Sequence, residues 1–256
     1  MKPIYGPVSS WRLGRSLGID LLCREEKICS FDCIYCQLGE TKIKTIRRDV
    51  YVESERIFAE WEKIEGKFEA DVITLSGTGE PTLGKNLEEV VEFLRGRTNL
   101  PLAILTNSSL LGDEEVREEL NKLDIVVAKL DACDEESFRK INRPVEGLGW
   151  GEYLEGIREF RRGYRGKFAL QMMFIDDNKD LVEGMVRLAG ELEPDEVQVN
   201  TPLRPCGVRP LSREELEEIK GRFAGFPVVI SPYDVKKKVA RPLDVEEVYK
   251  RKRPEP

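Results

Sequence analysis

Histidine is absent from all 256 residues. That closes hydrolysis by a Ser-His-Asp or Cys-His arrangement and removes the commonest nitrogen ligand for metals. No apolar run approaches the roughly 18 residues of a membrane-spanning helix. Met1 is not followed by the apolar stretch of a secretory signal. A cytoplasmic protein with no membrane partner is therefore expected. Internal repeats, low-complexity tracts and interdomain linkers are also missing. Cysteine is scarce, six in all, and three of the six crowd one loop, which is no disulfide framework and fits a reducing compartment.

What is present is one domain's worth of core. At 256 residues and 40% apolar content, the chain can bury a single sizeable interior. Charged residues make up 35%, rich in Glu, Lys and Arg, a composition met in thermophile proteins. The formal net charge of -7 argues against broad, non-specific nucleic-acid binding and leaves room for a local basic groove.

Strand-like apolar runs alternate with amphipathic ones. Strands are expected at 16 to 22, 71 to 77, 102 to 108, 125 to 132, 168 to 175 and 196 to 202. Helices are expected near 53 to 64, 86 to 96, 113 to 122, 150 to 162 and 179 to 192, several opened by Asp, Ser or Asn caps. Repeated βα units mean a parallel sheet. From Leu211 the tail adds a helix, the apolar run FPVVIS and the basic end KRKR at 250 to 253. The expected domain is 1–210, with 211–256 as an extension packed on it.

The run CSFDCIYC holds Cys29, Cys33 and Cys36 in a Cys-x3-Cys-x2-Cys spacing. Clustered thiolates select zinc, copper(I) or iron-sulfur. Structural zinc needs a fourth ligand, for which Cys23 is the near candidate, whereas a cluster held by three thiolates keeps one iron open. Cys133 and Cys206 are remote singletons.

The triad, with Tyr35 before its last cysteine, resembles the signature of the radical S-adenosylmethionine (SAM) superfamily. ITLSGTGEPTL, with Gly79, Glu80 and Pro81, resembles that family's Gly-Gly-Glu-Pro element, with Thr78 where Gly is common. GPVSSWRLGRSLGIDLL, INRPVEGL and DEVQVNTPLRP further resemble a small archaeal and bacterial branch of iron-sulfur oxidoreductase-like proteins related to wyosine synthases. The resemblance covers most of residues 5 to 215. It implies an α/β fold, a partial (β/α)6 TIM-like barrel of the radical SAM type with a short C-terminal extension. It also implies a [4Fe-4S] cluster on Cys29, Cys33 and Cys36, SAM on the open iron, reductive cleavage to a 5′-deoxyadenosyl radical, and an external electron donor such as ferredoxin or flavodoxin.

Active sites of parallel barrels lie at the C-terminal ends of the strands. On that rule Tyr35, Gly77, Thr78, Gly79, Glu80, Asn107, Lys129 and Asp131 are the expected SAM contacts. The glycines let backbone approach a ligand, and Lys129, set in an apolar strand, needs a counter-charge. Phe31 and Tyr35 read either as shields of the cluster and adenine or as plain packing. Asn142, Arg143, Gln171, Gln198, Asn200, Arg204 and Arg209 are candidates for substrate, the arginines suggesting an anion. Cys206, between Pro205 and Gly207, is a candidate hydrogen-atom donor.

Three basic runs, 42 to 48, 161 to 167 and 250 to 253, bear on a nucleic-acid substrate, the second interleaving Arg and Tyr as stacking on bases requires. A tRNA base is the leading substrate expectation. A protein or small metabolite, including glycyl-radical activation, is the second, and a non-catalytic metal or electron-transfer module the third.

Overall fold

In a computed structural model, which describes residues 1–236 and 238–251, the chain folds around one curled sheet. Its strands are β1 (Ile4–Ser10), β2 (Gly14–Ile19), β5 (Val72–Leu75), β6 (Leu102–Thr106), β7 (Ile125–Lys129), β8 (Lys167–Met173), β9 (Glu196–Asn200) and β10 (Val229–Ile230), in the order β1-β2-β5-β6-β7-β8-β9-β10. Two short strands, β3 (Ile28–Cys29) and β4 (Ile43–Lys44), pair separately. The helices are α1 (Ser54–Ile64), α2 (Leu87–Arg95), α3 (Glu114–Leu120), α4 (Glu135–Ile141), α5 (Trp150–Gly163), α6 (Val182–Leu192), α7 (Arg213–Arg222) and α8 (Val245–Tyr249).

Runs such as VITL and LAILT are buried along nearly their whole length. That is the pattern of parallel strands covered on both faces. From β2 to β10 every neighbouring pair is parallel, giving the partial barrel. β1 closes one edge antiparallel to β2. This hairpin was not anticipated, because the alternation in IYGPVSS is broken by Gly6 and Pro7. α4 was missed too. Its short sequence is started by a capping box in which Asp134 accepts from the backbone N–H of Ser137 at 2.8 Å.

The six expected strands are all present, and each ends two or three residues before its expected end. Polar side chains at the tips take over the backbone there. Asp20 Oδ1, just past β2, accepts from the N–H groups of Leu22 and Cys23 at 3.2 and 2.9 Å, an Asx-type turn that stops the strand. At the C-terminal side, β10 joins the sheet beside β9, and Arg251 after α8 reaches Asp20 at 3.1 Å.

Candidate active site

The cysteine loop is laced to two others. Gly79 bridges Ile28, and the N–H of Glu80 donates to the Ile28 carbonyl at 3.2 Å. On the far side the N–H groups of Asp32 and Ile34 donate to the carbonyls of Asn142 and Ile141, both at 3.0 Å, and that of Val145 to Ser30 at 2.8 Å. The loop is thus held by backbone bonds on both sides, with the Ser30, Asp32 and Tyr35 side chains adding to them.

Each cysteine of the triad faces a protein donor. Asn107 Nδ2 donates to Cys29 Sγ at 3.4 Å and Asn142 Nδ2 to Cys33 Sγ at 3.6 Å. The buried Lys27 ammonium lies against Cys36; burial lowers its pKa, but Cys36, Cys29 and Cys33 outweigh that and raise it. Burial pushes the Cys29 thiol up to about 12 and the Cys33 thiol up to about 11. A bound cation reverses that preference by stabilising thiolate.

The donor set suits a cluster better than zinc. Cys23, the candidate fourth ligand, meets the Arg251 guanidinium at 3.7 Å instead. Among the described residues no three His, Cys, Asp or Glu side chains are gathered as a single ion requires. A tetrahedral zinc at about 2.3 Å from each sulfur would draw them to roughly 3.8 Å from one another. Beside Cys36 and Tyr35 opens a cavity of about 410 Å³ that runs into the barrel lumen past Gly77 and Gly79, so space for a ligand adjoins the loop.

Several expected ligand contacts are taken up internally. A Cβ on Gly77 would collide with Asp20, and one on Gly79 with the Ile28 carbonyl. These glycines answer to protein neighbours first. Thr78 Oγ1 donates to Asp20 at 3.2 Å. Glu80 Oε1 accepts from the Thr82 N–H and hydroxyl and from Thr106, and Oε2 from the Asn107 N–H at 2.6 Å. Burial raises the Glu80 pKa, and these donors offset part of the effect.

Asp131 is a hub. It accepts from the Tyr35 hydroxyl, from Asn142 Nδ2 at 3.1 Å and from the Met173 N–H at 2.8 Å. Lys129 Nζ stands 3.5 Å from it and 4.7 Å from the Tyr35 ring centre. The counter-charge sought for Lys129 is thus Asp131. Burial drives the Tyr35 phenol well above its ordinary range, with Asp131 adding.

The substrate candidates divide. Asn142 braces the cysteine loop, and Arg143, at φ +46° with its carbonyl taken by Asp32, has an exposed side chain. Arg209 is spent on Asp176 and Glu215 at 2.8 and 3.1 Å. Gln198 binds Glu196 at 2.7 Å. Only Gln171, Asn200 and Arg204 line the cavity, where they are joined by Arg12, which the sequence reading missed. Cys206 packs against the small buried cluster of Tyr35, Ile141 and Ile175. Phe31 is core, edge-on to Phe138.

The basic runs change meaning as well. Arg48 pairs with Glu119 and Glu115, Arg162 with Glu155, and Lys167 with Glu196. Tyr164 is buried, stacked on Phe160, and donates to the Leu123 carbonyl at 2.9 Å. Of the last run, Lys250 and Arg251 bind Glu247; residues 252 and 253 lie outside the described residues.

The model of the Radical SAM superfamily matches residues 27–189. The chain belongs to the radical SAM superfamily. Enzymes of this superfamily use a [4Fe-4S] cluster and SAM, and this radical SAM chain shares that chemistry. It is 40% identical over 225 residues to a UPF0026 protein of Synechocystis, covering 88% of this chain and 82% of that one. It is 26% identical to a probable GTP 3′,8-cyclase of Saccharolobus islandicus, over 90% and 71% of the two chains. The solved structure of Streptococcus suis SuiB bound to S-adenosylmethionine superposes with a TM-score of 0.60 at 14% identity. It matches 83% of this chain and 50% of that one, so the radical SAM enzyme spans about half of SuiB. Among the described residues no helix is long and apolar enough to cross a membrane.

Proposed function

We propose that Cys29, Cys33 and Cys36 hold the cluster of a radical SAM enzyme whose substrate is a small molecule admitted to the barrel lumen. The observation that carries this reading is the continuity of one cavity from Cys36 and Tyr35 to the lumen side chains of β8 and β9. Cys29, Cys33 and Cys36 would hold the cluster, which, with an external donor of the ferredoxin or flavodoxin kind, would supply one-electron reduction of SAM for hydrogen abstraction from the substrate.

The chain's own residues do the rest. Asn107, Asn142 and Lys27 offset negative charge on the three thiolates. Asp131 fixes Tyr35 at the cavity wall, and Ile28 fixes Gly79. The lumen walls hold the substrate in a set orientation and keep water out.

A tRNA base fits less well. Its support was the basic runs, in which Lys42, Arg48, Arg162 and Lys167 are ion-paired and Tyr164 is buried. A relative named for cyclising GTP, an anionic nucleotide, is in keeping with a small substrate.

The test is anaerobic reconstitution with iron and sulfide, reduction by dithionite with SAM, and chromatography for 5′-deoxyadenosine. Wild type is expected to form it and Cys33→Ala is not. A protein that binds tRNA tightly in the same state would sink the small-substrate reading.

A further inference from the structure

We propose that Arg12 and Arg204 form an oxyanion subsite in the barrel lumen, with Gln171 and Asn200 contacting the neutral polar part of the same ligand, so that the substrate carries a phosphate or carboxylate. This rests on the reading of the lumen as the substrate site.

No Asp or Glu is among the described residues lining the cavity, whereas three arginines are: Arg12, Arg204 and Arg251. Arg251 is neutralised by Asp20 and Glu247, each at 3.1 Å. Among the described residues the other two have no such partner. Arg12 comes from the turn between β1 and β2, its guanidinium 4.8 Å from the Trp11 ring centre, and its Nε is buried with no hydrogen-bond acceptor. The nearby carboxylate of Glu196 is held by Lys167 and Gln198, both at 2.7 Å. Burial lowers the Arg12 pKa to about 10, and the charge of Arg204 adds to the effect. A guanidinium offers five donors. Leaving the buried Nε of Arg12 unmet is costly unless a ligand brings the acceptor, while Arg204, an exposed residue on the segment after β9, lines the same cavity.

Gln171 and Asn200 supply an independent observation. They are 6% and 5% exposed, line the same cavity and make no side-chain hydrogen bond among the described residues; Asn200 Oδ1 is buried without a partner. They stand on adjacent strands, β8 and β9. Buried amides are ordinarily satisfied, so the unmet Asn200 Oδ1, beside the free Gln171 amide and two arginines without a carboxylate partner among the described residues, describes a polar ligand. The turn carrying Arg12 lies at the N-terminal end of the barrel strands, opposite the cysteine loop. Asn200 ends β9 and Arg204 follows it, so a ligand held between Arg12 and Arg204 lies along the lumen towards Tyr35 and Cys36.

The test uses the reconstituted protein and calorimetric titration with inorganic pyrophosphate and, separately, with SAM. Wild type is expected to bind pyrophosphate in a salt-dependent manner. Arg12→Met and Arg204→Met are each expected to weaken it by about tenfold or more, roughly 1.4 kcal/mol. Arg209→Met should leave it unchanged, and SAM affinity should hold in all variants. Arg12→Lys, which keeps the charge if Arg12→Met folds poorly, should retain most of the binding. Pyrophosphate binding that is absent in wild type, or unaltered in both methionine variants, overturns the proposal. So does a parallel loss of SAM affinity, which would assign the arginines to SAM's own carboxylate. Failure to form 5′-deoxyadenosine with pyrophosphate binding intact would instead overturn the reading of the cysteine loop and leave the anion subsite standing.

Discussion

The side-chain amide of Asn107 donates to the thiol of Cys29 across 3.4 Å. The same amide also donates to Ser30 Oγ at 2.8 Å, and its oxygen accepts from the Ser109 N–H at 2.9 Å, so its orientation is fixed from three sides. A donor aimed at a ligating sulfur favours the reduced, more negative cluster.

Asn107→Ala is therefore expected to lower the cluster's midpoint potential. One lost hydrogen bond of about 1 kcal/mol corresponds to roughly 40 mV for a one-electron couple. Redox titration followed by electron paramagnetic resonance measures it. An unchanged potential at full iron content would mean that the amide only shapes the loop.

Gly79→Ala should block correct seating of the cysteine loop, because the added methyl meets the Ile28 carbonyl and neither backbone can yield without breaking the bridge between them. Overpacking at a rigid site costs about 1–3 kcal/mol. Iron and sulfide content after reconstitution should drop well below wild type. Full cluster content with unaltered melting would contradict the geometry.

Asp131→Ala should destabilise the protein more than Tyr35→Phe. The first strands the Tyr35 hydroxyl, the Asn142 amide and the Met173 N–H together, and the second removes one donor while leaving Asp131 two others. Each unsatisfied buried group costs on the order of 1–3 kcal/mol. Thermal melts of the two variants test the order, and equal melting temperatures would refute it.

Acid should loosen the contact between α8 and the barrel. Burial raises the Glu247 carboxyl, but Lys250, the Lys2 N–H and Arg251 outweigh it and hold the pKa at about 2. A depressed carboxylate contributes stability that is complete above its unfolded pKa, about 4.3, and is lost as pH falls through the folded value. Melting temperature should decline from pH 5 towards 2. Glu247→Gln should melt about 3–6 °C lower at pH 7 and show a flatter acid slope. A slope identical to wild type would remove Glu247 from the account.

The alternation of apolar and amphipathic runs was enough to locate six strands and five helices, since each such segment reports its own buried face. Local periodicity did not reveal β1, whose alternation Gly6 and Pro7 break and whose Tyr5 ring is covered by Arg251 from the far end of the chain, nor the early strand ends, where side chains such as Asp20 bind the backbone.

By itself, the sequence determined the spacing of the three clustered thiols and the βα order. Cys29, Cys33 and Cys36 sit within eight residues, and a thiolate's metal preference does not depend on distant neighbours. Only the tertiary structure decided which polar groups are free. Arg209 and Arg204 look alike in the chain, yet one is neutralised by Asp176 and Glu215 and the other faces the lumen beside Arg12. Whether a charge is available depends on what the fold sets opposite it, and those partners are brought together only by closure of the sheet.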